Sequence, residues 1–159
     1  MTQPTVYVET TVIGHLVGRM LADPIVAGRQ TLTRQWWPIA EKSYRLLVSQ
    51  LVVDECSAGD PVAAAERLAV LNSMALLEAS EDANKLAGLL IAGLAIPATE
   101  PRDAGHIALA AVNGIEYLVT WNFKHIANPK TRVVIESICQ DAGYDSPIIC
   151  TPDELSEEE

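Results

Sequence analysis

The sequence predicts an α/β fold, a short parallel sheet covered by helices on both faces. Three observations carry that reading. Apolar runs of four or five residues recur along the chain, segments of helical periodicity alternate with them, and turn-forming residues separate the two kinds. With 159 residues and 49% apolar content, the chain suits one compact domain that can bury a core of its own.

The elements follow in order. Thr5 to Val8 reads as a strand, and Thr10 to about Ala22 as a helix with Val12, Ile13, Leu16 and Val17 on one face. Arg29 to Lys42 is a polar helix carrying Trp36 and Trp37, with Pro38 expected to kink or end part of it. Arg45 to Ser49 is the second strand, and Asp54 and Glu55 lie in the helical segment after it. Asp60 is placed as an N-cap with Pro61 at the first helical position, and this helix reaches about Ser73. Ala75 to Glu78 is a short strand, Ser80 caps a helix to about Leu94, and Ile96 to Pro101 is a proline-bounded loop. Asp103 to Val112 is apolar nearly all round, which requires a helix enclosed by other elements. Tyr117 to Thr120 is a strand, Val133 to Ala142 a helix stopped by Gly143, and Ser146 to Ile149 leads into a last strand.

Composition narrows the function. The formal net charge of −10 gives no support to a passive nucleic-acid binder, which needs a basic surface to displace counterions. Part of the acidity is the stretch 153–159, expected to be a solvated tail beyond a single domain of residues 1–152. Cys56, Cys139 and Cys150 are widely spaced and odd in number, as expected of small buried hydrophobes. No apolar run approaches the roughly 20 residues that cross a bilayer, and the start lacks a signal-peptide pattern. The expectation is a cytoplasmic protein without a membrane partner. No Gly-rich phosphate loop follows any strand, which weighs against a nucleotide-binding protein.

In open α/β sheets, ligands collect beyond the carboxyl ends of the strands, and polar residues cluster at those places. Glu9 follows the first strand directly. It reads either as an acid in the first turn of a helix, favoured by roughly 0.3–1 kcal/mol, or as one of a set of converging acids. Glu55, within DECSAGD, is either part of a solvated helix face or, beside Leu51, Val52 and Val53, partly buried. Asp103 opens a helix so apolar that its carboxylate needs a cap, a cation or a hydrogen-bond network. His106 lies on the same helical side, as a core hydrogen-bonding group or a substrate-positioning one. In LVTWNFKHIANP, residues 118–129, a strand runs into Asn122, Lys124, His125 and Asn128, a density of polar groups that suggests a site. His15, His106 and His125 are the only histidines and match no local zinc spacing. Glu9, Glu55 and Asp103 with Asn122 are oxygen ligands of the kind magnesium and manganese prefer.

The stretches VYVETTVIG, LVVDECSAGDP, DAGHIALAAVNGIEYLVTWNFKHIANP and PIICTPDEL, in that order and spacing, resemble the PIN-domain family, and within it the VapC-type toxins of toxin-antitoxin pairs. The third stretch is the most specific. The resemblance implies a three-layer α/β/α PIN-like domain with a short central parallel sheet, and a ribonuclease acting on single strands. It implies catalytic residues at Glu9, Glu55, Asp103 and Asn122, the first three holding Mg2+ or Mn2+. Such an ion would orient and acidify a water for attack on the RNA phosphodiester, leaving a 5′-phosphate. Thr10 and Thr120 are placed to donate hydrogen bonds to the acids, and His106, Lys124 and His125 to position substrate. Two departures stand out: Glu9 adds a methylene where the family usually has aspartate, and Asn122 has one charge less than the aspartate common there. The implied partners are RNA, an antitoxin protein and further copies of the chain, as a homodimer or higher oligomer. Trp36 and Trp37 are read as core packing groups, base-stacking groups or a partner surface, the last favoured because their helix is otherwise polar and the family commonly binds its antitoxin and self-associates there. The rival expectation is a catalytically impaired PIN-like domain that binds RNA or protein.

Overall fold

The structure, a computed structural model, describes residues 2–156. Five strands, β1 (Thr5–Val8), β2 (Arg45–Ser49), β3 (Ala75–Leu77), β4 (Tyr117–Val119) and β5 (Ile148–Cys150), form one parallel sheet in the order β3-β2-β1-β4-β5. Among the described residues seven helices flank it in an α/β fold of three layers: α1 (Thr10–Leu16), α2 (Pro24–Ser43), α3 (Gln50–Cys56), α4 (Pro61–Leu71), α5 (Glu81–Ala92), α6 (Pro101–Val112) and α7 (Pro129–Asp141).

β1 is the central strand, paired with β2 through Val6↔Leu46 and with β4 through Tyr7↔Leu118. A strand covered on both faces and both edges must be apolar throughout, and Val6, Tyr7 and Val8 are all wholly buried. Each of the two valines contributes about 1.5–3 kcal/mol by leaving water. The chain winds from β1 outward through β2 to β3, then crosses back to lay β4 on the other side of β1. The strand order therefore reverses between β1 and β4, and at such a reversal the connections leave in opposite directions and open a crevice beyond the carboxyl ends.

Several helix boundaries differ from the sequence expectation for identifiable reasons. α1 stops at Leu16 instead of near Ala22, and Gly18 just beyond it takes a φ of 92° that suits glycine. α2 starts at Pro24, not near Arg29, because Asp23 Oδ1 accepts from the Ile25 and Val26 N–H groups and Pro24 fills the first helical position. Pro38 neither ends α2 nor stops it from running on to Ser43. Trp36 is only 2% exposed and lies in the core, with Trp37 packed against it. Trp36 is thus a packing group, not part of the outward surface that the polar character of its helix suggested, while Trp37 is half-buried. The outward positions of α2 instead carry Ile25, Leu32 and Ile39.

α6 begins at Pro101, which puts Asp103 inside its first turn, and every residue from His106 to Ala111 is buried. That helix is enclosed, as its all-round apolar pattern requires. Residues 153–156, expected to belong to a solvated acidic tail, carry contacts to the domain. Glu154 accepts from the Thr151 N–H and meets Arg132, and Leu155 packs against the core; residues 157–159 lie outside the described residues. Among the described residues no helix is long and apolar enough to cross a membrane.

Candidate functional site

Glu9 is the first residue beyond β1 and the N-cap of α1. Its Oε1 accepts from the Thr11 N–H at 3.2 Å, from the Thr11 hydroxyl, and from the Thr120 hydroxyl at 2.6 Å. Thr120 is the first residue beyond β4, so this last contact spans the strand pair where the order reverses. The Glu9 N–H continues the ladder to Val119 O at 3.1 Å. Glu9 is 2% exposed, and no hydrogen bond from the described residues reaches its Oε2.

Glu55 comes from α3, the helix that follows β2. Its Oε1 accepts from the Thr10 hydroxyl at 2.8 Å and meets His106 Nε2 at 2.6 Å, while its Oε2 also has no partner among the described residues. Burial alone would push this carboxyl up. The His106 contact, the Thr10 hydroxyl and the Arg102 charge outweigh that and hold it below its ordinary value. A carboxylate only accepts, so Nε2 carries the proton in the Glu55 contact.

Behind His106 the polar chain continues into the core. His106 Nδ1 lies 2.6 Å from the Tyr7 hydroxyl, which lies 2.7 Å from Ser49 Oγ. His106 and Ser49 are 0% exposed. Burial pushes the Tyr7 hydroxyl far up, with the charges of Glu9 and Glu55 adding to the effect, so the phenol keeps its proton. In the neutral form of the imidazole, Tyr7 donates to Nδ1 and accepts from Ser49. Ser49 is the N-cap of α3 but makes no side-chain cap bond; its hydroxyl is used on Tyr7 instead.

One ligand atom from each of Glu9, Glu55 and His106 lies within 4.8 Å of the others. Two carboxylates this close repel, and each keeps one oxygen free of hydrogen bonds, so the donor set fits a bound cation. A metal ion can be held here.

Asp103 belongs to a second group, with Glu100 and His125, whose ligand atoms likewise lie within 4.8 Å of one another. Burial pushes the Asp103 carboxyl above its ordinary value. The Asn122 side chain opposes that, the Glu9 charge adds to it, and His106 and His125 oppose it. The Glu9 and His106 influences on Asp103 make the two groups neighbours, with His106 the histidine of the Glu9–Glu55 group and His125 that of the Asp103 group. Asn122 Oδ1 accepts from the His125 N–H at 3.0 Å, shaping the turn after β4. Lys124 is exposed on a cleft of about 390 Å³ that also includes His125. The three histidines do not gather: His15 binds Thr11 O and packs beside Trp121.

His106, read from sequence as either a core hydrogen-bonding group or a substrate-positioning one, has no access to solvent and hydrogen-bonds Glu55 and Tyr7. Sequence reasoning missed Tyr7, Ser49, Thr11 and Glu100. For Tyr7 a signal existed, since a phenol inside a wholly buried strand must find a hydrogen-bond partner, and a histidine inside an equally buried helix is a fitting one.

Fold and site together define an α/β protein with a buried acid–histidine cluster, at the reversal of strand order, able to hold a metal ion. No family model matches the chain, and no curated protein matches it significantly.

Proposed function

We propose that the protein is a metal-dependent endoribonuclease of the PIN type, a toxin of a toxin-antitoxin pair. The single observation that carries the reading is the convergence of Glu9 and Glu55 at the carboxyl ends of adjacent strands, each with one oxygen anchored by threonine and the other unengaged. The resemblance of the sequence to VapC-type proteins supplies the substrate class. With His106 Nε2 engaged by Glu55, the groups left to meet an ion are carboxylate oxygens, the ligand type suited to Mg2+ or Mn2+.

When bound, such an ion supplies activation of a water and neutralisation of charge on the phosphodiester. Thr11 and Thr120 fix the Glu9 carboxylate, and Thr10 and His106 fix that of Glu55, so neither acid has to search for its orientation. Asn122 holds the turn after β4 and, through Asp103, the neighbouring acidic group. No nucleophilic side chain is needed. Antitoxin and RNA are the partners proposed, with self-association of the chain.

The test is cleavage of single-stranded RNA with Mg2+ or Mn2+, with and without EDTA, beside Glu55→Gln and Glu9→Gln. Metal-dependent cleavage giving 5′-phosphate ends, lost in both variants, is the expected result. Cleavage that survives EDTA or both substitutions overturns it. A second reading, an impaired domain that binds RNA or protein, is favoured by one observation: Asp103 gathers with Glu100 and His125, while Glu9 and Glu55 gather with His106. That reading predicts no cleavage and no Mn2+ binding.

A further inference from the structure

β4 delivers more than Thr120 and Asn122 to the mouth of the site. Trp121 and Phe123 flank Asn122, and their ring centroids are 6.1 Å apart. The Arg29 guanidinium, from α2, lies 4.7 Å from the Phe123 ring centroid and 5.9 Å from that of Trp121. His15 of α1 extends the row on the other side, 6.0 Å from Trp121. Four flat groups from three elements thus form one ladder.

Its inner rung is fixed. Trp121 is 6% exposed, its Nε1–H donates to the buried Thr33 hydroxyl at 2.8 Å, and its backbone N–H donates to Thr11 Oγ1 at 2.8 Å. Thr11 is the same side chain that donates to Glu9, so one hydroxyl ties the ladder to the candidate metal site. Its outer rung is open: Phe123 is 39% exposed. Phe123 is three residues from Thr120, at most roughly 11 Å along the chain.

The guanidinium has a further property. Arg34, Arg67 and Arg132 all donate to backbone carbonyls, whereas the Arg29 guanidinium makes no hydrogen bond or ion pair among the described residues and meets the two rings; its backbone carbonyl accepts from the Thr33 hydroxyl. Its N–H donors are therefore available to an anion while its plane is held by cation–π attraction. An exposed ring with an uncommitted guanidinium beside it is the combination that receives a base and its phosphate, and stacking on aromatic groups accepts any base. The net charge of −10 makes such a local device necessary, because the surface as a whole repels a polyanion.

We propose that Phe123 and Arg29 form a stacking subsite for an unpaired nucleotide of a single-stranded substrate next to the cleavage site. The proposal rests on the nuclease reading for its substrate class, and its test is binding, not cleavage. A fluorescently labelled oligouridylate is titrated in EDTA at fixed low salt and followed by anisotropy, with thermal unfolding run alongside. Phe123→Ala and Arg29→Ala should each weaken binding by about 5- to 100-fold, Phe123→Trp should restore it, and a duplex of equal length should bind more weakly than the single strand. Wild-type affinity in both folded alanine variants overturns the subsite. If the wild type cleaves RNA while these variants bind normally, the subsite fails and the nuclease reading stands. If the wild type binds with the stated losses but never cleaves, the subsite stands and the nuclease reading fails. If the wild type does not bind the single strand in EDTA, the subsite fails, and the cleavage assay with Mg2+ or Mn2+ decides the nuclease reading separately.

Discussion

The two acid–histidine groups contain the same kinds of side chain, yet they are held in different ways. Glu9, Glu55 and His106 each take a partner from another element: Thr120 beyond β4, Thr10 of α1 and Tyr7 of β1. Glu100 is exposed and His125 half-buried, and Asp103, the buried member, has Asn122 as its opposing hydrogen-bond influence. The acids respond accordingly: Glu55 is held below its ordinary pKa and Asp103 is pushed above it. Proximity gathers ligands, but only a hydrogen-bonded framework keeps a carboxylate ionised and oriented before an ion arrives.

The largest effect should come from breaking the better-held group. Glu9→Gln or Glu55→Gln is expected to reduce RNA cleavage by about 10²- to 10³-fold, the scale for losing one fixed electrostatic contact in a reaction site. Asp103→Asn should cost less, and single-turnover rates on one RNA would rank the three. An equal loss in all of them would erase the distinction between the groups.

Next in size is the support behind His106. Tyr7→Phe leaves the buried Nδ1 and the Ser49 hydroxyl without their partner, at a cost of about 1–3 kcal/mol. Urea unfolding measures it; a change near zero would mean that the chain from Ser49 to Glu55 does not bear on the fold.

The pH dependence should be opposite at the two acids. The folded pKa of Glu55 lies below its ordinary 4.5, so its contribution to stability is present above pH 4.5 and lost as pH falls through the folded value. The folded pKa of Asp103 lies above its ordinary 3.8, so folding favours its protonated form, and that contribution is lost as pH rises through the folded value. Asp103→Asn should therefore stabilise the ion-free protein at neutral pH, with the gain vanishing below pH 3.8, while Glu55→Gln should destabilise it at neutral pH and less so in acid. Unfolding curves across this range in EDTA decide the signs. The smallest effect is expected from His125→Ala, within about 0.5 kcal/mol, because the half-buried ring caps no helix and fills no core position.

Much of the fold was legible because each strand is a compact apolar run. Thr5–Val8 and Arg45–Ser49 are bounded by polar residues that leave little choice of ends. Helix starts were legible where the cap and its proline were recognised, as at Asp60 and Pro61, and missed at Asp23 and Pro24, where the same pair precedes a helix. The acids at strand ends could be picked out one by one, and so could Thr10 and Thr120 beside them. Which acids share a group could not, since that depends on which face of α6 turns toward β1. His106 and Asp103 stand three residues apart on that helix, and it is His106 that meets Tyr7 of β1. Trp36 shows the converse error: a polar helix can still sink one indole when its inner face meets the core.

The position of β1 between β2 and β4 bears on how this protein comes into being. During synthesis, the ribosome releases the segment bearing Glu9 and Glu55 long before the one bearing His106 and Thr120. A nascent chain halted after β3 holds both glutamates but neither of the later partners that orient them. The same boundary, the loop ahead of α5, separates both glutamates from His106 and Thr120 in the chain.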